Sequence, residues 1–397
     1  MPFRSGTRDP SELGTSNVVN QIVFSTLFLT AVFSLIPKTN QLMTLIKKEK
    51  FLILFLLWCT LSLFWAEDSF VVFKRLFQFY TGIIVCFSFL LHADSIDDAL
   101  PTIKVFFSIF MVISLISIYT IPGAISRQFH EWQGLANNKN QLGKNSLISA
   151  VLWIYALSKD KSAKLQLYNL FMLMVSLFLL VGANSITSVS AFLFIILVWV
   201  LFVIDKLFQP LGIRRTMTWL FLICAGFLAV FSYFYAQEII ASIFALAGKN
   251  LTLTGRTDIW AMIMEEVNKH VLLGVGYKGF WITTSPKILK IYETYIWLPR
   301  QSHNGYIDTL NETGIIGLIS FFAVVINYFV NLVRYKEKTF WMWFIIIALM
   351  ENITESVLFS PGGLMTLMFI YSYLSLFVII LKKEQRNGDP ETSLAPP

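Results

Sequence analysis

The chain has 397 residues, 56% of them hydrophobic and 14% charged, with a formal net charge of +7 and a mean hydropathy of +0.67. This balance excludes an ordinary soluble domain. It also argues against a nucleic-acid binder, because the basic residues sit in short loops between apolar runs rather than on one basic surface.

Residues 1–17 form a polar N-terminal segment. Apolar runs able to cross a hydrocarbon core of roughly 30 Å follow at 18–36, 51–65, 72–92, 102–121, 143–158, 164–182, 186–204, 216–235, 306–331, 339–357 and 362–381. The expected fold is all-α: a polytopic membrane protein with about 11 to 12 transmembrane helices and one large extracytoplasmic loop, 236–305, containing short helices. A single transmembrane domain occupies 18–381, and 382–397 is a disordered cytoplasmic tail ending in NGDPETSLAPP. The first apolar run has no small-residue cleavage site and is expected to be retained. Asn184 to Thr187 leaves almost no loop between two runs, which allows a broken helix there.

Lys38, Lys47, Lys48 and Lys50 share one loop, and Lys159, Lys161 and Lys164 a second. Lys206, Arg214 and Arg215 mark a third, Arg334, Lys336 and Lys338 a fourth, and Lys382, Lys383 and Arg386 the tail. If the runs alternate in direction, all five segments share one side, which the positive-inside rule makes cytoplasmic. The opposite side carries the loop after Trp65, the segment 122–142 and the large loop. Cys59, Cys86 and Cys224 lie within runs, lack metal or redox spacing and are expected to be small core residues.

The large loop contains GKNLTLTGRTDIW, Gly248 to Trp260, where Thr254 or Thr257 is placed to cap a helix with Asp258 in its first turn. Arg256 at that helix start is suited to a phosphate; taken alone, it is more often a surface arginine pairing with an acid such as Asp258 or Glu265. LLGVGYKGFW follows, with Gly274, Gly276 and Gly279 spaced as G-x-G-x-x-G. No strand and helix pattern surrounds these glycines, so a dinucleotide fold is rejected. They are expected to turn the loop back against the membrane surface, with Phe280, Trp281 and Trp297 as interfacial aromatics.

Next, RQSHNGYIDTLNETGIIG, Arg300 to Gly317, carries a polar loop into an apolar run. With a helix from Tyr306, Asn304, Asp308 and Glu312 recur at i, i+4 and i+8 and form a polar stripe descending into hydrocarbon. His303 lies beside Arg300, and a neutral imidazole near a cation suits a general base; a lone histidine is otherwise most often structural. His92, His130 and His270 make no zinc spacing with it. Lys74 and Arg75, Asn137 to Lys139, and Glu351 with Glu355 map to the same outer face. An ion pair between one of these acids and Lys74 or Arg75 is the structural alternative to a substrate site.

GRTDIW, LLGVGYKGFW and HNGYIDTLNETGIIG together resemble the signature of the O-antigen ligase and polymerase superfamily, densest over Thr254 to Gly317. LANNKNQLGKN, Leu135 to Asn145, is similar to a segment of its exopolysaccharide polymerase branch. The resemblance implies a bacterial inner-membrane glycosyltransferase that uses an undecaprenyl-diphosphate-linked glycan as donor and acts at the outer face. It implies that His303 activates an acceptor hydroxyl and that Arg256 binds the diphosphate, with catalytic roles for both. It further implies substrate-binding roles for Arg75 and Lys139. Arg300, Lys74, Asn304, Asp308, Glu312, Glu351 and Glu355 are further candidates to bind substrate. Where many members carry a basic residue between Ser and Thr, this chain has Ser185, Ile186 and Thr187, so Arg300 or Lys139 is the candidate replacement.

A diphosphate is already a good leaving group, so neither a cofactor nor a metal is expected. The expected partners are the lipid-linked oligosaccharide donor, a glycan or lipid A core acceptor, the membrane and a chain-length regulator. A repeat-unit polymerase is favoured over a ligase by the Asn-Lys-Asn segment. A transporter or flippase is the alternative of a different class; it would show paired repeats and midplane charges, and neither is visible.

Overall fold

The computed structural model describes residues 18–126, 131–208, 226, 256–282, 288, 301–337 and 339–387. Among them every regular element is helical, and the only strand-like feature is a bridge between Ile125 and Trp132. Six helices are long and apolar enough to cross a membrane: Val18–Lys48, Ser69–His92, Ile96–Thr120, Ala163–Gly182, Gly305–Arg334 and Leu364–Gln385. Helices overlap ten of the eleven expected runs, but in 339–357 the helix covers only Met342–Glu351, and Lys50–Phe64 and Ile186–Val200 are likewise shorter apolar helices. The run at 216–235 and Cys224 lie outside the described residues, as do 1–17, 388–397 and most of the large loop.

In chain order the helices are α1 (Val18–Leu35), α2 (Thr39–Lys48), α3 (Lys50–Leu61), α4 (Ser69–His92), α5 (Leu100–Thr120) and α6 (Lys139–Lys159). Then come α7 (Ala163–Gly182), α8 (Ile186–Phe208), α9 (Arg256–Lys269), α10 (Gly305–Arg334), α11 (Met342–Glu351) and α12 (Leu364–Asn387). Their starts follow local chemistry. Asp68 accepts from Val71 N at 3.0 Å and caps α4, and Asn138 accepts from Gln141 N at 2.8 Å and caps α6. Between α7 and α8 the chain turns through Asn184 at φ 49, a left-handed conformation that asparagine tolerates.

The chain divides into two compact units. In the unit Met1–Arg4 with Phe107–Ile259, α6 packs on α7 through buried serines. Ser149 and Ser176 share a hydrogen bond of 2.8 Å, and Trp153 donates to Ser149 at 3.0 Å. Small hydroxyl side chains let the two backbones approach closely while satisfying each other. Trp132 covers Gly182, where a Cβ would overlap the indole.

In the unit Ser5–Phe106 with Trp260–Pro397, α12 is the most enclosed of the six long apolar helices, packing on α4 and α11. At one end of this unit Lys48 pairs with Glu384, Lys383 with Glu337, and Lys382 donates to Ala93 O at 2.6 Å. Three of the basic segments expected on one side thus meet. Cys59 and Cys86 are buried free thiols, as expected of core residues.

Glu49, between α2 and α3, belongs to the same end. It is 1% exposed and accepts from Tyr373 Oη at 2.5 Å and Asn327 Nδ2 at 3.4 Å. Burial pushes its carboxyl up to about 7, outweighing the Tyr373 hydrogen bond and the Lys48 charge, which both pull it down. Between pH 4.5 and 7 the folded protein holds a proton that the unfolded chain has released, so stability falls as pH rises through that window. Glu49→Gln is therefore expected to raise the unfolding temperature at pH 8, by at most roughly 3 kcal/mol of stability, and to change little at pH 5. Thermal melts of the detergent-solubilised protein at both pH values test this; an equal shift at the two would rule out protonation as the cause.

Candidate functional site

The polar start of α10 is built by its cap. Asn304 is extended, and its side-chain oxygen accepts from Tyr306 N at 3.0 Å and Ile307 N at 3.1 Å. The helix then breaks at Gly314, with φ 66 and ψ −176, a region essentially reserved for glycine. A break orphans the carbonyls of the turn before it. The loop after α9 satisfies them: Val275 N donates to Asn311 O and Gly276 N to Glu312 O, both at 2.9 Å. Trp58 Nε1 donates to Thr313 O at 2.8 Å, and beyond the break Ile315 N donates to Val271 O at 2.8 Å.

Glycine is required on both sides of this junction. Gly274 and Gly276 have φ of +69 and +110; a Cβ on Gly274 would lie 2.5 Å from Gly314 N, and one on Gly314 would overlap the Leu272 carbonyl. The glycine motif therefore docks one backbone against another, which accounts for Gly274 and Gly276 without any membrane contact. Phe280 is 5% exposed and Trp281 donates to Asp308 Oδ1 at 3.1 Å, so these two aromatics anchor the loop to the protein rather than to a bilayer interface. Trp297 lies outside the described residues.

The break also revises the stripe expected to descend into hydrocarbon. The twenty residues from Ile315 to Arg334 measure roughly 30 Å as a helix and can cross the bilayer core alone. Asp308 and Glu312 belong to the separate polar turns ahead of them. Asn304 lies outside the helix as its cap.

Charges lock the loop. Glu312, 2% exposed, pairs through Oε2 with Lys278 Nζ at 3.2 Å. Arg75 donates to the carbonyl of Lys278 and to that of Trp281 at 3.2 Å. Its guanidinium is thus engaged in holding loop backbone, whereas Lys74 lies over the Phe70 ring, 4.8 Å from its centre. Tyr277 is buried; its N–H donates to Ser62 Oγ at 2.9 Å and its hydroxyl to Phe359 O at 2.7 Å. Burial holds that phenol well above its usual range, so it remains a neutral donor.

Immediately ahead of this junction, His303 adopts φ 56, a left-handed conformation uncommon for histidine. Its Nδ1 faces Glu355 Oε1 at 3.0 Å, with side chains 21% and 10% exposed. Gln301 Nε2 also donates to Glu355, and Gln301 Oε1 accepts from Ser356 N at 3.2 Å. Gln301 Nε2 lies 3.4 Å from the same Nδ1, so an acid and an amide both face the imidazole, while Arg75 is engaged with loop carbonyls. A carboxylate at Nδ1 selects the tautomer with the proton on Nδ1 and the basic lone pair on Nε2.

Glu351, 1% exposed, ends α11. Next to it, Asn352 fastens α11 to α10: its carbonyl accepts from Gly305 N at 2.8 Å, and its side-chain oxygen accepts from Val357 N at 3.3 Å and Leu358 N at 3.1 Å. Asn311 is 1% exposed, and among the described residues neither of its amide atoms has a hydrogen-bond partner.

Lys139 belongs to the other unit and pairs with Glu131 at 2.5 Å. Arg256 opens α9, but its side chain and the whole of Arg300 and Thr254 lie outside the described residues. Lys278, Gln301, Ser302, Asn311 and Ser356 join the site without having been singled out, and Trp281 joins it although it was expected only as an interfacial aromatic. Asn311 had a signal, since it lies three residues after Asp308 and so on the same helix face.

Residues 171–322 match the family described as O-Antigen ligase. Over 85 residues the chain is 35% identical to the exopolysaccharide production protein ExoQ of Rhizobium meliloti (strain 1021). Both findings support the O-antigen ligase and polymerase superfamily. The ExoQ match spans 21% of this chain and only 20% of the relative. The O-antigen ligase stretch contains α9, the docked loop, His303 and the break at Gly314, but it ends before Glu355. Taken with the six long apolar helices, this similarity points to a multi-pass membrane protein.

Proposed function

We propose that the chain is a glycosyltransferase of the bacterial inner membrane that moves a glycan from a polyprenyl diphosphate to an acceptor sugar hydroxyl at the outer face. The observation that carries this reading is His303 held against Glu355 at 3.0 Å beside a broken helix. In the reaction the acceptor oxygen attacks the anomeric carbon, the bond from that carbon to the phosphate oxygen breaks, and the hydroxyl proton passes to His303 Nε2. The diphosphate leaves with the electron pair, and configuration at the anomeric carbon inverts. Glu355 holds the imidazole and stabilises the imidazolium that forms. Arg256, at a helix N-terminus, and Arg300 are the proposed diphosphate contacts. A metal is not required by this chemistry, because the leaving group is already activated.

The acceptor distinguishes two forms of the reaction. A repeat-unit polymerase extends a lipid-linked chain, and the name of the matched ExoQ favours this form. A ligase moves finished glycan to lipid A core, and the family description favours that one. We take polymerase as the first reading, acting with a chain-length regulator. The test is the glycan on lipid carrier in a strain lacking the gene: single repeats support the polymerase, full-length unattached chains support the ligase, and unchanged glycan overturns both.

A further inference from the structure

Asp308 sits in the first turn of α10 and is 1% exposed. Its Oδ1 accepts from Trp281 Nε1 at 3.1 Å, its Oδ2 accepts from Ser302 N at 3.1 Å, and Ser356 Oγ donates to the same Oδ2. These donors come from three separate segments: the docked loop, the turn ahead of α10, and the stretch after α11. Two of them have a common property. Ser302 precedes His303 in the chain, and Ser356 follows Glu355.

One buried carboxylate thus grips the immediate chain neighbours of both members of the His303–Glu355 pair. Ser302 is fixed further, since its carbonyl accepts from Trp260 Nε1 at 2.8 Å and its hydroxyl donates to Asn304 O at 2.6 Å. That enclosure maintains His303 in a left-handed conformation that is costly outside glycine and persists only where the surroundings over-determine it. A charged acceptor is suited to the role, because its hydrogen bonds are stronger than neutral ones and a buried carboxylate is stable only when its oxygens are engaged.

We infer that Asp308 is a positioning residue that sets the distance between His303 and Glu355 by acting through Ser302 and Ser356, and that it does not itself touch substrate. This rests on His303 being the base. It differs from a plain helix-start role, in which an acid in the first turn stabilises α10 through the helix dipole and leaves the pair untouched.

The test is a double-mutant cycle on the full chain in detergent, with Asp308→Asn, Glu355→Gln and the double variant compared by thermal unfolding. Coupling is expected: the double variant loses less than the two single losses combined, because Asp308→Asn has already loosened the pair. The second arm measures transfer by the same proteins, using lipid-linked repeats isolated from a strain lacking the gene. Turnover of Asp308→Asn is expected to fall on the order of tenfold to a hundredfold, with KM for the donor unchanged. Ser356→Ala, which removes one donor and keeps the carboxylate, serves if Asp308→Asn fails to fold, and it should show the same coupling in weaker form. Additive unfolding shifts, or turnover unchanged per folded molecule, would overturn the inference. The unfolding cycle needs no activity, so a His303→Ala protein that still transfers glycan would remove the base reading without deciding the coupling.

Discussion

His303→Ala is expected to lower glycan transfer per folded molecule by about 10³-fold, since general-base catalysis contributes roughly 10²–10⁴-fold. The side chain is 21% exposed and bonded to Glu355, so its truncation costs some stability, and transfer lost from the molecules that remain folded is the informative result. Glu355→Gln should cost about 10²-fold. Glutamine can still accept from Nδ1, but it no longer offsets the charge of the imidazolium formed on proton transfer. The measurement is transfer from purified lipid-linked repeats in vesicles, normalised to folded protein. Full transfer by His303→Ala would sink the base assignment.

The second large effect is expected from Gly314→Ala. Alanine does not tolerate φ 66 with ψ −176, and its methyl group would overlap the Leu272 carbonyl. The variant must either undock the loop, which strands the carbonyls of Asn311 and Glu312, or straighten the helix, which pairs those carbonyls within the helix but leaves the N–H groups of Val275 and Gly276 without their acceptors. The cost is expected to exceed about 3 kcal/mol, from backbone strain of 1–3 kcal/mol plus the lost hydrogen bonds. Ile319→Ala, at a 62% exposed position in the same helix, is the control and should change stability by less than about 1 kcal/mol. Thermal melts and limited proteolysis within the loop read both outcomes. Equal behaviour of the two variants would mean that the docked loop contributes nothing to stability.

Much of the helical layout was legible because hydropathy over some twenty residues is a strong signal. His303, Asp308, Glu312 and Glu355 were legible for a related reason: a charged or titratable group beside an apolar run requires an explanation. What joins them was not. His303 meets Glu355 across 52 positions of chain, and Trp281 reaches Asp308 across 27. No periodicity encodes such pairings. The stripe at Asn304, Asp308 and Glu312 misled for a physical reason, since its spacing assumes one continuous helix and a single glycine φ cancels that assumption. Gly314 inside an apolar run was the available hint, together with the G-x-G of the loop, because isolated glycines in helical patterns often mark close backbone approach.

The interrupted ladder at Gly314 also separates two rotational settings. In an unbroken helix each inserted or deleted residue turns everything on its far side by about 100°. Here the aim of the upper turns is set by the Asn304 cap and the docked loop, both of which lie outside the lower segment. A residue inserted or deleted in the stretch from Ile315 to Arg334 therefore need not turn the face carrying Asp308 away from His303. One chain segment holds an apolar stem and a separately aimed polar head, and the joint between them is one glycine.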